Sequence, residues 1–458
     1  MSASVHLPPK SVTSAAAELA AYVAQVRFED LPDVAIERAK QCLADSVGCV
    51  LFGGRFPWSK MVLDLARATG SGGPCIIPGQ AGFSLHVPQA ALTLGSFAHA
   101  FELDSLRKPG TGVHPGATVA LPALAMAQAL GSSGRDLVTA IVVGCEVLFR
   151  IGKATLHSAE KRGFHAPGIT GPFGSVAACA SLMKLPPEQV GAAFGICGSL
   201  SGGLLAFVKA GSGGMVKRLH LGRAAESGVV AAMLAQSGYE GPLSILEGRY
   251  GILDAYCGEN DPALLTQGLG HEFEIEHLCI KKYACHVTSQ ASVELLRELI
   301  VTEGFSGDAI ERIDIAASDK VCSHHSDAEP SDLMLAQYSL PFNTALAAFV
   351  DPIDPRVYSD LALNDGRVRD MTRRVSVHSD PRMKGWSIEM KVHLRSGAAF
   401  GGARESFTGC PERPFSCEEL RLKFDRLASD SEPTIRGTLF DSLMNLDRME
   451  TVRELHLV

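Results

Sequence analysis

The first 270 residues run as one helical segment after another, and this most narrows the folds open to the chain. Segments 13–27 (TSAAAELAAYVAQVR), 32–52 and 59–69 carry apolar residues at helical spacing; in the second, Ile36, Ala39, Leu43, Val47 and Val50 share a face. A Thr/Ser cap signal opens the first. From residue 88 the pattern resumes as PQAALTLGSFAHAFELD, and Ala-rich helices are predicted over 115–130, 134–152, 171–184, 187–205 and 218–238. Only 74–82 (PCIIPGQAG) breaks the run, as a strand-like insert bounded by turn formers. Helices joined by short loops bury their apolar faces on one another, so an all-α domain of stacked helices is expected.

Near residue 272 the texture changes. Segments 275–280, 311–316, 374–378 and 386–394 read as strands by β-branched content and alternation, with helices at 287–302 and 339–349 between them. The tail is helical again over 416–447. The expectation is a mainly α protein of two domains. Residues 1–271 and 408–458 form a large all-helical domain, and 272–407 a smaller α+β domain. A length of 458 residues agrees, since single cores stop growing at roughly 250–300 residues.

Composition removes several function classes. A net charge of −8 argues against nucleic acid as a partner. The start MSASVHLPPKSVTS lacks a basic region followed by an apolar run, and the longest apolar stretches are too short for a membrane span, so a cytoplasmic protein with no membrane partner is expected. The twelve cysteines include no CxxC pair; Cys42/Cys49 and Cys410/Cys417 are seven apart, which fits no common zinc or iron–sulfur arrangement. Most sit among Ala, Val and Leu, as buried free thiols do. No Walker A motif and no GxGxxG after a strand is present, so neither metal nor cofactor is expected.

Four clusters carry candidate chemistry. In His99-Ala-Phe-Glu102-Leu-Asp104, His99 and Glu102 are i, i+3 and are expected to share a helix face, with Asp104 near the helix end. A Gly-rich loop then leads to His114, just before Pro115 and a helix start, where an anionic ligand is favoured. Lys161-Arg-Gly-Phe-His165-Ala-Pro167 repeats that arrangement. A glycine hinge, Gly211-Ser-Gly-Gly214, runs into Lys217, Arg218 and His220. Lys281-Lys282-Tyr283-Ala-Cys285-His286 stands where the texture changes. Each has a plainer reading as a capping loop, a turn or a basic strand end. Together they suit a di- or tricarboxylate: cations hold the charge, and a base moves a proton next to a carboxylate. Cys285 and His286 are neighbours, and on a strand they would point to opposite faces, against a Cys–His dyad.

The order FAHAFELD…HPGATVALPA, GCEVLFRIG, KRGFHAPGITGPFGS, GGMVKRLHLGRAAESG and IKKYACH resembles the MmgE/PrpD family over nearly the whole chain. The resemblance implies a large helical domain and a smaller α+β lid with the site between them, a homodimer, and no cofactor. It implies reactions such as those of 2-methylcitrate dehydratase, cis-aconitate decarboxylase and iminodisuccinate epimerase. By motif, Glu102, Asp104, His114, His165, Lys217, Lys281 and His286 are the implied site residues. The family's SIPY-like motif reads Ser339-Leu-Pro-Phe342 here, so its Tyr hydroxyl is missing unless Tyr338 replaces it; the acidic motif reads Glu-Leu-Asp-Ser, and Arg107-Lys108 adds basic residues to the loop before His114.

The expected function is a cofactor-free lyase or isomerase of a small polycarboxylate, by decarboxylation or epimerisation. A dehydratase is the alternative within the family, and a non-catalytic helical ligand-binding or scaffold protein the alternative outside it. In this reading Lys217 and Lys281 clamp carboxylates, His114 and His165 transfer protons, and Asp104 and Glu102 orient them. His286, Arg218, His99 and Tyr338 are further candidate substrate contacts.

Overall fold

The computed structural model describes residues 14–209 and 214–457, and among them twenty α-helices and eight strands. Gly211, Ser212 and Gly213 of the hinge and the cap candidate Thr13 lie outside the described residues. Two compact units result. Of the described residues, the first comprises those up to Ala100, those of Asp104–Cys279 and those from Ser416 on; the second comprises Phe101–Leu103 and Ile280–Phe415. The mainly α expectation holds. No described helix is long and apolar enough to cross a membrane.

In the first unit the Val216–Gln236 helix packs against Val87–Ala98 and Ala166–Leu182, and Gly134–Ala154 packs on the last of these. Glycine permits the closest of these approaches: a Cβ on Gly222 would lie 2.1 Å from Ser96 Oγ and 2.4 Å from the Leu92 carbonyl. Ser133 caps Gly134–Ala154 by accepting from the Asp136 amide at 3.1 Å. Pro172 lies inside Ala166–Leu182 and has no amide hydrogen, so the Gly168 carbonyl one turn back loses its helical donor. The Gly202 amide donates to that carbonyl at 3.0 Å instead. The exchange lays residues 202–204 along the start of the helix.

This unit is not wholly helical. The 74–82 insert is part of an antiparallel hairpin, β1 (Ser71–Ile77) and β2 (Gln80–Leu85). The strand expected over 275–280 is instead a 3₁₀ turn, Glu274–His277, followed by a two-residue strand β4 (Leu278–Cys279), which pairs with β3 (Leu106–Arg107). The β-branched signal there reflected burial: Ile275 and Ile280 are core residues.

In the second unit β5 (Ile310–Ala317) lies between β6 (Val375–Ser379), parallel to it, and β7 (Ile388–Leu394), antiparallel; β8 (Ala399–Arg404) completes the sheet. Alternation sets the buried face: Ile388, Met390, Val392 and Leu394 point inward while Glu389 and Lys391 are exposed. Helices Val287–Glu303 and Leu340–Phe349 pack on each other and on this sheet.

Candidate functional site

The first unit builds a carboxylate between two imidazoles. The Val87–Ala98 helix stops with His99 as its C-cap (φ −89°, ψ 6°), so it does not continue to Asp104. The expected shared helix face of His99 and Glu102 is therefore wrong. Glu102 adopts a left-handed φ of 60°, a conformation that breaks helical spacing. Five residues after His99 the chain returns Asp104 to it: His99 Nδ1 is 2.9 Å from Asp104 Oδ1. His114 Nδ1 lies 2.8 Å from Oδ2, close but off the hydrogen-bond axis. The two rings meet edge to face at 4.7 Å. Ser105 Oγ accepts from the Gly116 amide at 3.1 Å, and the Thr118 hydroxyl donates to the His114 carbonyl at 2.9 Å, which fixes the turn carrying His114.

Burial is complete at His99 and Asp104, each 0% exposed. It pushes His99 down to about 3, against the pull of Asp104, so the ring is neutral and donates to the carboxylate. Burial alone would raise the Asp104 carboxyl; the imidazoles of His114 and His99 overcome it and hold the group well below the usual carboxylate range. Donor atoms of His99, Asp104 and His114 lie within 4.8 Å of one another, close enough to share a cation. Their 2.8–2.9 Å N···O separations are those of a hydrogen bond at His99 and a close polar contact at His114. A metal there would replace those contacts with ligand bonds of roughly 2.0–2.2 Å.

Lys217 and Arg218 stand in the first turn of the Val216–Gln236 helix, and both are buried. Burial first, then the Lys217 charge among other neighbours, lowers His165 and His220; at His99, Lys217 adds to the depression as well. Lys217 thus acts on three imidazoles in this unit. Its neighbour Arg218 turns elsewhere, as 100° of helical rotation per residue requires. Arg218 Nη1 donates to the Gly214 carbonyl at 3.0 Å, bracing the helix start, while its buried Nε and Nη2 have no hydrogen-bond partner among the described residues. His165 caps the Ala166–Leu182 helix, and its Nδ1 is 3.0 Å from His220 Nδ1.

The second unit holds the remaining candidates. Lys281 Nζ donates to the Glu102 carbonyl at 2.9 Å and lies 3.3 Å from its carboxylate, both residues being buried. The His286 ring stacks on His325 at 4.1 Å and packs on Tyr338 at 4.8 Å, and its Nδ1 is 2.9 Å from Thr288 Oγ1. Cys285 is no nucleophile. Burial pushes its thiol up to about 12, and Gln290 Nε2 lies 3.2 Å from the sulfur. Phe342 is buried in the Leu340–Phe349 helix and carries no hydroxyl.

Two profiles match the chain: the MmgE/PrpD N-terminal domain over residues 17–265 and the MmgE/PrpD C-terminal domain over residues 283–437. The chain belongs to the MmgE/PrpD family. Among curated relatives, a cis-aconitate decarboxylase-like protein of Aspergillus oryzae is 30% identical, covering 96% of both chains. The cis-aconitate decarboxylase of Aspergillus terreus is 27% identical over 96% of this chain and 94% of its own. That of Mus musculus is 25% identical over 97% and 92%.

Within this MmgE/PrpD chain, sequence reasoning had separated Glu102 from Asp104 too little, named His220 without its partner His165, and missed His325. His220 lies three residues after Lys217, on the same helical face, which is why it belongs with that cluster. His325 lies 39 positions from His286, and only the fold brings their rings together. The added Arg107 does not add a free cation: its Nη2 is bonded to Glu274 at 2.8 Å.

Proposed function

We propose that this protein is a cofactor-independent lyase that decarboxylates a small unsaturated tricarboxylate of the cis-aconitate type. The observation that carries the reading is the buried set His99–Asp104–His114 beside Lys217 and His165, in a chain similar from end to end to cis-aconitate decarboxylases. Such a set holds ionisable groups whose protons can be exchanged, around a fixed cation. Lys217 and Lys281 hold substrate carboxylates. The bond to the departing carboxylate breaks, and its electron pair moves into the adjoining C=C–carboxylate system. His165 delivers a proton to the far carbon, which leaves an alkene and carbon dioxide. His114, oriented by Asp104, is the second proton-transfer group. His99 braces Asp104 rather than touching substrate. Glu102 positions Lys281, and His286, Arg218 and Tyr338 complete the carboxylate contacts.

A hydro-lyase needs an acid aimed at a leaving hydroxyl, and the buried Phe342 supplies none. Decarboxylation needs no such group. The test is incubation in D₂O with cis-aconitate, 2-methylcitrate and iminodisuccinate, followed by NMR. The expected result is carbon dioxide from the first, with one deuterium in the product. Deuterium exchange into iminodisuccinate without loss of mass would make the protein an epimerase. An alkene from 2-methylcitrate alone would make it a hydro-lyase.

A further inference from the structure

His220 is outside the residues matched to the family's site motifs, yet its ring touches one of them directly. The Nδ1 atoms of His165 and His220 are 3.0 Å apart. Two ring nitrogens at that distance accommodate one proton between them: with none, two lone pairs face each other, and with two, the N–H groups collide. The contact is built from several directions. The Phe207 ring meets His165 edge-on at 5.5 Å and His220 at 5.9 Å. The His165 amide donates to the Gly203 carbonyl at 3.0 Å. Gly203, at φ 146°, lies flat against His220, where a Cβ would come within 3.3 Å of the ring Nδ1. That segment is held in place by the Gly202–Gly168 bond that Pro172 frees.

One shared proton ties the far nitrogen of His165 to the state of His220. If His165 Nδ1 carries the proton, its neutral ring has a lone pair at Nε2. If His220 Nδ1 carries it, His165 has its proton on Nε2. A second proton on the pair is opposed by burial and by the neighbouring Lys217, His99 and His114. We propose that His220 is a positioning residue, donating from Nδ1 to His165 Nδ1 and so keeping His165 neutral with its proton on Nε2. This rests on the reading of His165 as proton donor to the carbanion: as its Nε2–H passes to carbon, the His220 Nδ1 proton moves to His165 Nδ1, and the half-buried His220 ring regains a proton from solvent.

The test is nitrogen-15 NMR of the histidine-labelled full chain, with long-range ¹H–¹⁵N correlations assigned by the His165→Gln and His220→Gln variants. The expected spectrum shows His165 as the Nε2–H tautomer and His220 as the Nδ1–H tautomer near neutral pH. A proton on His165 Nδ1, or a tautomer mixture unchanged between wild type and His220→Leu, overturns the proposal. This arm needs no turnover, so it stands or falls apart from the choice of reaction. On an active substrate, His220→Gln, whose amide can still donate, should keep kcat within about threefold, whereas His220→Leu should lower kcat tenfold or more at unchanged KM, within the roughly 10²–10⁴-fold span of general acid–base effects. Equal kcat in the two variants would reduce His220 to packing.

Discussion

Two buried charge networks in the first unit differ in kind. In one, Lys217 stands among His99, His114, His165 and His220 with the Asp104 carboxylate. In the other, charges alternate. Arg150 Nε is 2.6 Å from Glu146, whose other oxygen accepts from the Glu274 amide at 2.8 Å. Glu274 in turn holds Arg107 at 2.8 Å and Lys153 at 2.6 Å. The alternating network uses guanidinium groups, which never titrate in a protein, and it ties the Arg107 strand to the Gly134–Ala154 helix. In the first network burial, with the Lys217 charge beside it, depresses His99, His165 and His220, groups whose protons can be moved. Burial of charge is therefore common to structure and function here; what separates them is the cation beside the carboxylates, a fixed guanidinium in one network and titratable imidazoles in the other.

The comparison can be broken at its centre first. Lys217→Ala should reduce turnover by about 10³-fold or more, by removing the cation that stabilises the developing charge, with the melting temperature close to wild type. Near-normal kcat in that variant would remove Lys217 from the mechanism. Asp104→Asn keeps the shape but removes the charge that orients His114, and kcat should fall by about 10²-fold, the lower range for a lost proton-transfer arrangement; an unchanged pH–rate profile would argue that Asp104 is only structural.

Arg107→Met tests the other network. It leaves Glu274 buried with Lys153 as its remaining cation and should cost about 3–5 kcal/mol of stability, the usual penalty for breaking a buried pair. Chemical denaturation measures it, and a loss under about 1 kcal/mol would mean the pair behaves as a surface one.

The effect of pH on stability has opposite signs in the two networks. His99 falls from 6.5 unfolded to about 3 folded, so the folded state binds fewer protons and stability is lost as pH drops from 6.5 toward 3. Burial, against the pull of Arg150, raises Glu146 from 4.5 to about 7, so its contribution is present below 4.5 and lost as pH rises toward 7. Each slope is at most about 1.4 kcal/mol per pH unit. His99→Gln should flatten the acid limb of the stability curve, and Glu146→Gln the limb between pH 4.5 and 7. Identical curves for both variants would show that the two groups do not differ in this way.

Much of this was legible in the residues. Apolar spacing located the Asp33–Gly53, Gly134–Ala154 and Val287–Glu303 helices to within a few positions, because a helix needs only its own sequence to display a face. The strand expected over 275–280 failed because β-branched residues mark burial as readily as pairing. The run HAFELD misled for a related reason: it has helical spacing, but Glu102 takes a left-handed conformation and bonds to Lys281, 179 residues away.

The sequence by itself determined the mainly α character, the change of texture near residue 272, and which residue types would carry chemistry, since these depend on local periodicity and composition. Only the tertiary structure decided the pairings: Asp104 between His99 and His114, His165 against His220, Arg107 with Glu274. Those contacts join positions 5 to 167 residues apart. Hydrogen bonds and ion pairs depend on distances of a few tenths of an ångström, which helix packing sets and no local pattern encodes.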